Sequence, residues 1–229
     1  MFGGILGASQ LAASEELTYI LGFPMSCQKK QRAIELPRPR FDSAVSLEKV
    51  LASRRSVRDY SRTALTLQEI SQLLWAGQGV TDTEGLRTAP SAGALYPLEL
   101  YLVVGDVEKL PKGLYRYRPS QHTLLRNFDV DLRSELASAA LSQDCLKYGA
   151  VVIVIAAVYD RTTQKYERRG IRYVHMEVGH VAQNIYLQAG SLDLGAVLVG
   201  AFDDSRVGEL LQLPSNQVPL GLMPIGRKP

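Results

Sequence analysis

One run of eight residues limits the possible folds more than any other: Val151, Val152, Ile153, Val154, Ile155, Ala156, Ala157 and Val158 follow one another with no polar side chain among them. A run of that length suits a strand, and a strand that is apolar on both sides must be buried on both faces. It therefore belongs at the centre of a sheet covered by helices. One covering helix is legible downstream, over about residues 172–190. There Val174, Val178, Val181, Ile185 and Ala189 recur at steps of four, three, four and four, which makes a single core-facing stripe.

The other elements arrange themselves around this pair. Residues 98–104, rich in Leu, Val and Tyr, read as a strand, and residues 113–122 as a hairpin. Residues 196–199 and 218–225 give two further strands. Leu47, Val50 and Leu51 sit at helical spacing in residues 46–53. Thr66 and Glu69 form a capping box that opens a helix through Trp75, with Gly77 and Gly79 expected to stop it. Residues 131–141 and 203–211 also read as helices. Helices flanking a mainly antiparallel sheet make the expected fold class α+β, without internal repeats.

The N-terminal part reads differently. Residues 1–40 form an extension with a short helix around 15–21, and Pro37 and Pro39 bias their predecessors away from helix, so that residues 36–40 are an extended linker. The domain proper is expected over residues 41–229. Residues 1–23 are apolar only in patches, broken by Ser9, Gln10, Glu15 and Glu16, and no Lys or Arg precedes Lys29. A membrane span needs about 20 nearly uninterrupted apolar residues, and a signal peptide needs a positive start. Neither pattern is met. Cys27 lacks the aliphatic residue expected three places before a lipoprotein cysteine. Gly3, Gly4 and Gly7 follow no strand and miss the dinucleotide-binding spacing.

Composition removes several function classes. The chain has 229 residues, of which 26 are Lys or Arg and 23 Asp or Glu, a net charge of +3 with no long basic tract. That balance disfavours nucleic acid as a partner. Cys27 and Cys145 are the two cysteines and have no CxxC spacing, which argues against zinc, iron-sulfur and disulfide frameworks and fits a reducing cytoplasm. His175, Glu177 and His180 lie on the long helix, but at about 100° per residue they point too far apart to converge on a metal. Glu177 and His180 instead read as polar anchors.

Three stretches carry chemistry. Residues 53–60 crowd Arg54, Arg55 and Arg58 with Ser53 and Ser56. If the backbone runs extended there, Arg54, Ser56 and Arg58 share one side, where two planar forks and a hydroxyl suit a phosphate; a solvated basic surface is the plainer reading. Pro90, Ser91, Ala92, Gly93 and Leu95 form a small-residue turn between two prolines. It lacks the first glycine of a hydrolase nucleophile elbow. Val199, Gly200 and Ala201 end an apolar run ahead of a helix, and their small side chains permit close backbone approach to a ligand.

In order, the blocks "RRSVR", "APSAGALYP", "EVGHVAQNIYLQAG", "LGAVLVGAFDDSRV", "LQLP" and "PLGLMPIGRKP" resemble the nitroreductase-type flavoproteins over about residues 41–229. Within them the wording is most similar to the SagB-type branch, which includes thiazoline and oxazoline dehydrogenases of peptide-modifying clusters. The resemblance implies a nitroreductase fold, bound FMN and a homodimer. Arg54, Arg55, Ser56 and Arg58 match the block that holds the phosphate, ribityl chain and pyrimidine edge. Pro90, Ser91, Ala92, Gly93 and Leu95 match the block that covers the ring from the partner subunit, and Val199, Gly200 and Ala201 match the amides near N5 and O4. Many members complete the phosphate site with a basic pair after a final Gly-Tyr-Pro block. Here the chain stops at Pro229, leaving Arg227 and Lys228 as the residues available for that role.

The resemblance implies an oxidoreductase working between NADH or NADPH and a small organic acceptor. It also admits an azoline dehydrogenase acting on a modified peptide with a cyclase partner, in which Lys165 and Tyr166 match a proton-removing pair. From the residues alone, Lys165 and Tyr166 read as a polar loop leading into the long helix. A flavin-binding protein without turnover is the third alternative.

Overall fold

The computed structural model describes residues 33–229. Its core is a seven-stranded sheet in the order β1-β4-β3-β2-β5-β7-β6, in which every neighbouring pair runs antiparallel. The strands are β1 (Ala33–Glu35), β2 (Leu98–Val104), β3 (Gly113–Arg118), β4 (Thr123–Phe128), β5 (Val151–Ala157), β6 (Leu194–Ala196) and β7 (Val218–Arg227). The helices are α1 (Leu47–Ser53), α2 (Leu67–Gln78), α3 (Arg133–Ala139), α4 (Asp144–Tyr148), α5 (Asp160–Tyr166), α6 (Arg169–Ser191) and α7 (Asp204–Leu210).

The apolar run is the central strand β5, paired with β2 on one side and β7 on the other, and every one of its side chains is buried. Alternation sends Val151, Ile153, Ile155 and Ala157 to one face and Val152, Val154 and Ala156 to the other. The first face is covered by α2 and α6, the second by α3, α4 and α7. The result is three layers, helix, sheet and helix. The α6 stripe is buried as its spacing requires. The capping box at Thr66 forms, with the Glu69 side chain returning to the Thr66 amide. Gly79, not Gly77, caps α2; Gly77 lies inside the helix, where its missing side chain lets Ile185 and Leu100 pack against it.

Two other expectations change. β6 ends at Ala196, and Val199 only bridges Leu222, because β7 continues to Arg227 and offers partners two residues earlier than expected. Residues 33–40, expected ahead of the domain, are built onto it. β1 pairs with β4, and the proline-rich segment is held by side chains in place of a strand ladder: Ser71 donates to the Pro37 carbonyl, and Gln72 bonds both the amide and the carbonyl of Arg40. The expected helix near residues 15–21 and Cys27 lie outside the described residues. No described helix is long and apolar enough to cross a membrane.

Candidate functional site

The arginine cluster begins where α1 ends. Arg54 is the C-cap, its amide bonded to the Val50 carbonyl, and its guanidinium stacks over the Tyr186 ring at 5.2 Å. Ser56 lies on the same side, its Oγ 3.5 Å from the Tyr186 hydroxyl. Val57 points the other way, against Gly195, and its amide donates to the Ala196 carbonyl. Tyr60 then locks the segment by donating to the carbonyls of Val57 and Pro224. Gly195 and Gly226 have no side chain because Val57 and Tyr60 occupy that space. Arg55 leaves the cluster, turning back to donate to the carbonyls of Ala52 and Arg54. Arg58 is exposed, and no hydrogen bond holds its guanidinium among the described residues.

Tyr186, on α6, joins this segment to the Val199 block. Its hydroxyl accepts the Leu198 amide at 2.6 Å. Arg54, Ser56 and the start of the Val199, Gly200 and Ala201 segment are thereby gathered around one phenol. Val199 is buried, whereas Gly200 and Ala201 are exposed, and a Cβ added at Gly200 would meet nothing within 4 Å. That combination of the Arg54 guanidinium, which has no acidic partner among the described residues, the Ser56 hydroxyl and open small-residue backbone fits an anionic, planar group. Sequence reasoning missed Tyr186, which lies in the core-facing helix; its offset from the buried stripe was the available signal. Arg227 and Lys228 do not join the cluster: Arg227 is ion-paired with Glu69 at 2.8 Å and Lys228 with Asp193 at 2.8 Å.

A second group of residues forms at another part of α6. Glu177 is almost fully buried, and its carboxylate accepts the Ser91 hydroxyl and the Ala92 amide, each at 3.0 Å. Burial pushes its carboxyl above the ordinary range, and these two donors, His180 and Arg87 partly offset that rise. Ser91 in turn accepts the Tyr96 amide. The turn is thus closed at both ends, and Gly93 can adopt a φ of +64°, which disfavours any side chain. A Cβ added there would lie 2.8 Å from the Tyr166 hydroxyl and 3.0 Å from Lys165 Nζ.

Lys165 and Tyr166 are on the last turn of α5, not in a loop, and their ends lie beside Gly93 of the Pro90, Ser91, Ala92, Gly93 and Leu95 turn. Tyr166 packs edge-on against Tyr173 of α6 at 5.1 Å. His175 is engaged separately by the Tyr159 hydroxyl. No cluster of three metal-ligating side chains exists among the described residues.

Glu177 and Tyr186 are nine residues apart, roughly 14 Å along the helix axis and about half a turn around it. One copy of the chain consequently presents the cationic cluster and the Gly93 turn on different faces of α6.

Residues 51–227 match the model of the nitroreductase family. A Methanocaldococcus jannaschii protein named for the nitroreductases is 53% identical over 184 residues, covering 80% of this chain and 92% of the relative. A Ralstonia eutropha crystal structure, also named for the nitroreductases, superposes with a TM-score of 0.77 at 30% identity, covering 89% of this chain and 93% of the other. The Escherichia coli microcin B17-processing protein McbC is 25% identical over 216 residues, covering 89% of this chain and 79% of McbC. The chain belongs to the nitroreductase family and is an enzyme of that family of oxidoreductases.

Proposed function

We propose that this protein is an FMN-dependent oxidoreductase that moves hydride between NAD(P)H and a small organic acceptor, working as a homodimer with subunit-shared sites. The observation that carries the reading is the convergence of Arg54, Ser56 and the Leu198 amide on Tyr186. When bound, FMN supplies a two-electron centre at its ring, which the protein has only to orient and shield. Arg54 and Arg58 would neutralise the phosphate, Ser56 would reach the ribityl or ring edge, and the open backbone at Gly200 and Ala201 would bring amides close to the ring. Glu177 fixes Ser91 and Ala92, so the Gly93 turn is a rigid cover. The separation of that cover from Tyr186 within one copy favours a site completed by a second copy. Exposed Phe41, Leu47 and Leu51, with 83%, 57% and 51% of their surfaces accessible, offer apolar area for such a partner.

One observation favours a narrower reading, in which the acceptor is replaced by a thiazoline or oxazoline of a modified peptide. Lys165 Nζ and the Tyr166 hydroxyl both lie beside Gly93. There, one of them would take the proton from the azoline ring carbon, and the bound flavin would supply the two-electron acceptor that the oxidation needs. The similarity to McbC, which is named for microcin B17 processing, supports the same reading, in which a cyclase partner would be expected.

The test is an absorbance spectrum of the purified protein, mass spectrometry of what heat releases, and anaerobic addition of NADH and NADPH. FMN bleached by either nucleotide supports the reductase reading. FMN that neither nucleotide reduces leaves the azoline reading, which Lys165→Ala and Tyr166→Phe then test through loss of peptide oxidation. A colourless protein that FMN does not reconstitute overturns both.

A further inference from the structure

A polar cavity of about 680 Å³ opens beside the Gly93 turn, lined by Arg87, Tyr96, Glu99, Arg116, Arg118 and Arg161 among others. Its floor is Glu99 on β2, a buried carboxylate that gathers two guanidiniums. Arg116, from β3, donates through Nε and Nη2 to one Glu99 oxygen at 3.2 and 3.0 Å. Arg161, from α5, donates to the other oxygen at 2.6 Å and to the Tyr96 carbonyl at 3.0 Å. Arg87 stacks on the Tyr96 ring at 4.5 Å and donates to Gln78, and no carboxylate pairs with it among the described residues. Four arginines thus line a cleft whose one acidic lining residue, Glu99, is taken up by two of them, and Arg87 is half-buried there.

A sheltered positive charge without a counter-ion is costly, and planar forks held by neighbours are prepared to bind an oxyanion bidentately. Arg161 also lies four residues before Lys165, on the same face of α5 and about 6 Å away along the axis. The cleft is therefore one helical turn from the Lys165, Tyr166 and Gly93 cluster. It is distinct from the Arg54 cluster, whose residues do not line it.

We propose that this cleft is an oxyanion subsite that seats a carboxylate or phosphate of the molecule presented to Lys165 and Tyr166. Assigning the anion to the reacting molecule rests on the oxidoreductase reading above; the oxyanion site itself does not. In this arrangement Arg87 and the free donors of Arg116 and Arg161 take the anionic group, and Glu99 keeps the two forks oriented. Enzymes of this geometry would prefer acceptors bearing an acidic group to neutral ones of the same size.

The test is calorimetric titration of the full chain with sodium phosphate and, separately, with sodium acetate, after its flavin content has been read by absorbance. Loss of the flavin reading appears in that spectrum, independently of the titration. Binding of either anion with a Kd below about 10 mM is expected. Arg87→Gln and Arg161→Gln should each weaken it about tenfold or more at unchanged flavin content; the melting temperature should hold in Arg87→Gln and fall in Arg161→Gln, which takes a partner from the buried Glu99. The exposed Arg206→Gln should not change it. Tighter phosphate binding would identify a phosphate ester as the source of the anion, and tighter acetate binding a carboxylate. Absence of binding by both anions, binding retained in both cleft variants, equal loss in Arg206→Gln, or heat that disappears only in Arg54→Gln would each overturn the proposal.

Discussion

The segment around Tyr186 and the turn around Gly93 are both candidate site regions attached to α6, yet they are built in opposite ways. Around Tyr186 the backbone is pinned, by Val57 to Ala196 and by Tyr60 to Pro224, while the charged side chain of Arg54, and that of Arg58 four residues on, have no acidic partners among the described residues. Around Gly93 the polar groups already answer one another, through Glu177, Ser91, Ala92 and Tyr96. The difference separates two tasks. Unsatisfied charge is useful where a ligand supplies the counter-charge, and a satisfied network is useful where shape must be kept without the ligand.

Substitution should therefore affect binding at one region and stability at the other. The largest effect is expected from Arg54→Gln combined with Arg58→Gln. Loss of two charge-assisted contacts, at about 1.5–3 kcal/mol each, predicts at least a hundredfold fall in FMN affinity, read by flavin fluorescence titration. The melting temperature should hardly move, since neither guanidinium holds the fold. A large loss of stability with unaltered FMN affinity would reverse the assignment.

Glu177→Ala tests the other half. It removes the acceptor for a buried amide and hydroxyl, and an expected loss of about 1–3 kcal/mol should appear in denaturant unfolding. Glu177→Gln should recover much of it, because an amide oxygen can accept the same donors. Glu177→Gln should also differ from the unchanged protein in pH dependence. Burial raises the folded carboxyl above its unfolded value, so the native state holds the proton more tightly. This contribution to stability is fully present below the ordinary Glu range and is lost as pH rises through the folded value. Glu177→Gln removes that slope. His122 works in the opposite sense: burial lowers its folded value, so its contribution is present above the ordinary His range and fades as pH falls.

Gly93→Ala should have a smaller effect on stability, about 1–2 kcal/mol, from a positive φ that alanine tolerates poorly. Its added methyl also meets the ends of Lys165 and Tyr166. These are flexible or terminal groups, so they move aside before the fold breaks. Turnover should accordingly fall more than stability does, and a variant with reduced melting temperature but full activity would remove the pair from the reaction site.

The same contrast explains what could be read before the structure was known. β5 and the α6 stripe were legible because burial imposes a chemical period on side chains, and the strand from Leu98 to Val104 agreed to the residue. The Gly93 turn was legible as a motif, since positive φ and close packing demand small residues. Tyr186 and the Arg87 cleft were not. A phenol that joins Ser56 to Leu198 is defined by partners 130 residues before it and 12 residues after it, and no local spacing encodes such a meeting. α5 was missed because Asp160 to Tyr166 is polar and short, and its helical form depends on packing against α6. The edge strand β1 was read as part of the N-terminal extension, because its three residues carry no pattern of their own and gain their ladder only from β4.

The smallest effect is expected from Tyr186→Phe. The ring remains, so Arg54 keeps the face over which it stacks. The hydroxyl is lost, which leaves the Leu198 amide without its acceptor and Ser56 without its neighbour. Leu198 is only half-buried, so water can replace part of the missing bond, and the cost to stability should be about 1 kcal/mol or less. The binding site has less of a substitute, because the phenol bridges the Ser56 side chain and the Leu198 amide, beyond the backbone bond of Val57 to Ala196. FMN affinity should fall several-fold while the unfolding midpoint shifts slightly. Equal affinity in Tyr186→Phe and the unchanged protein would show that the two segments are placed by their backbones alone, through Val57 and Ala196, and that Tyr186 is only a packing residue of α6.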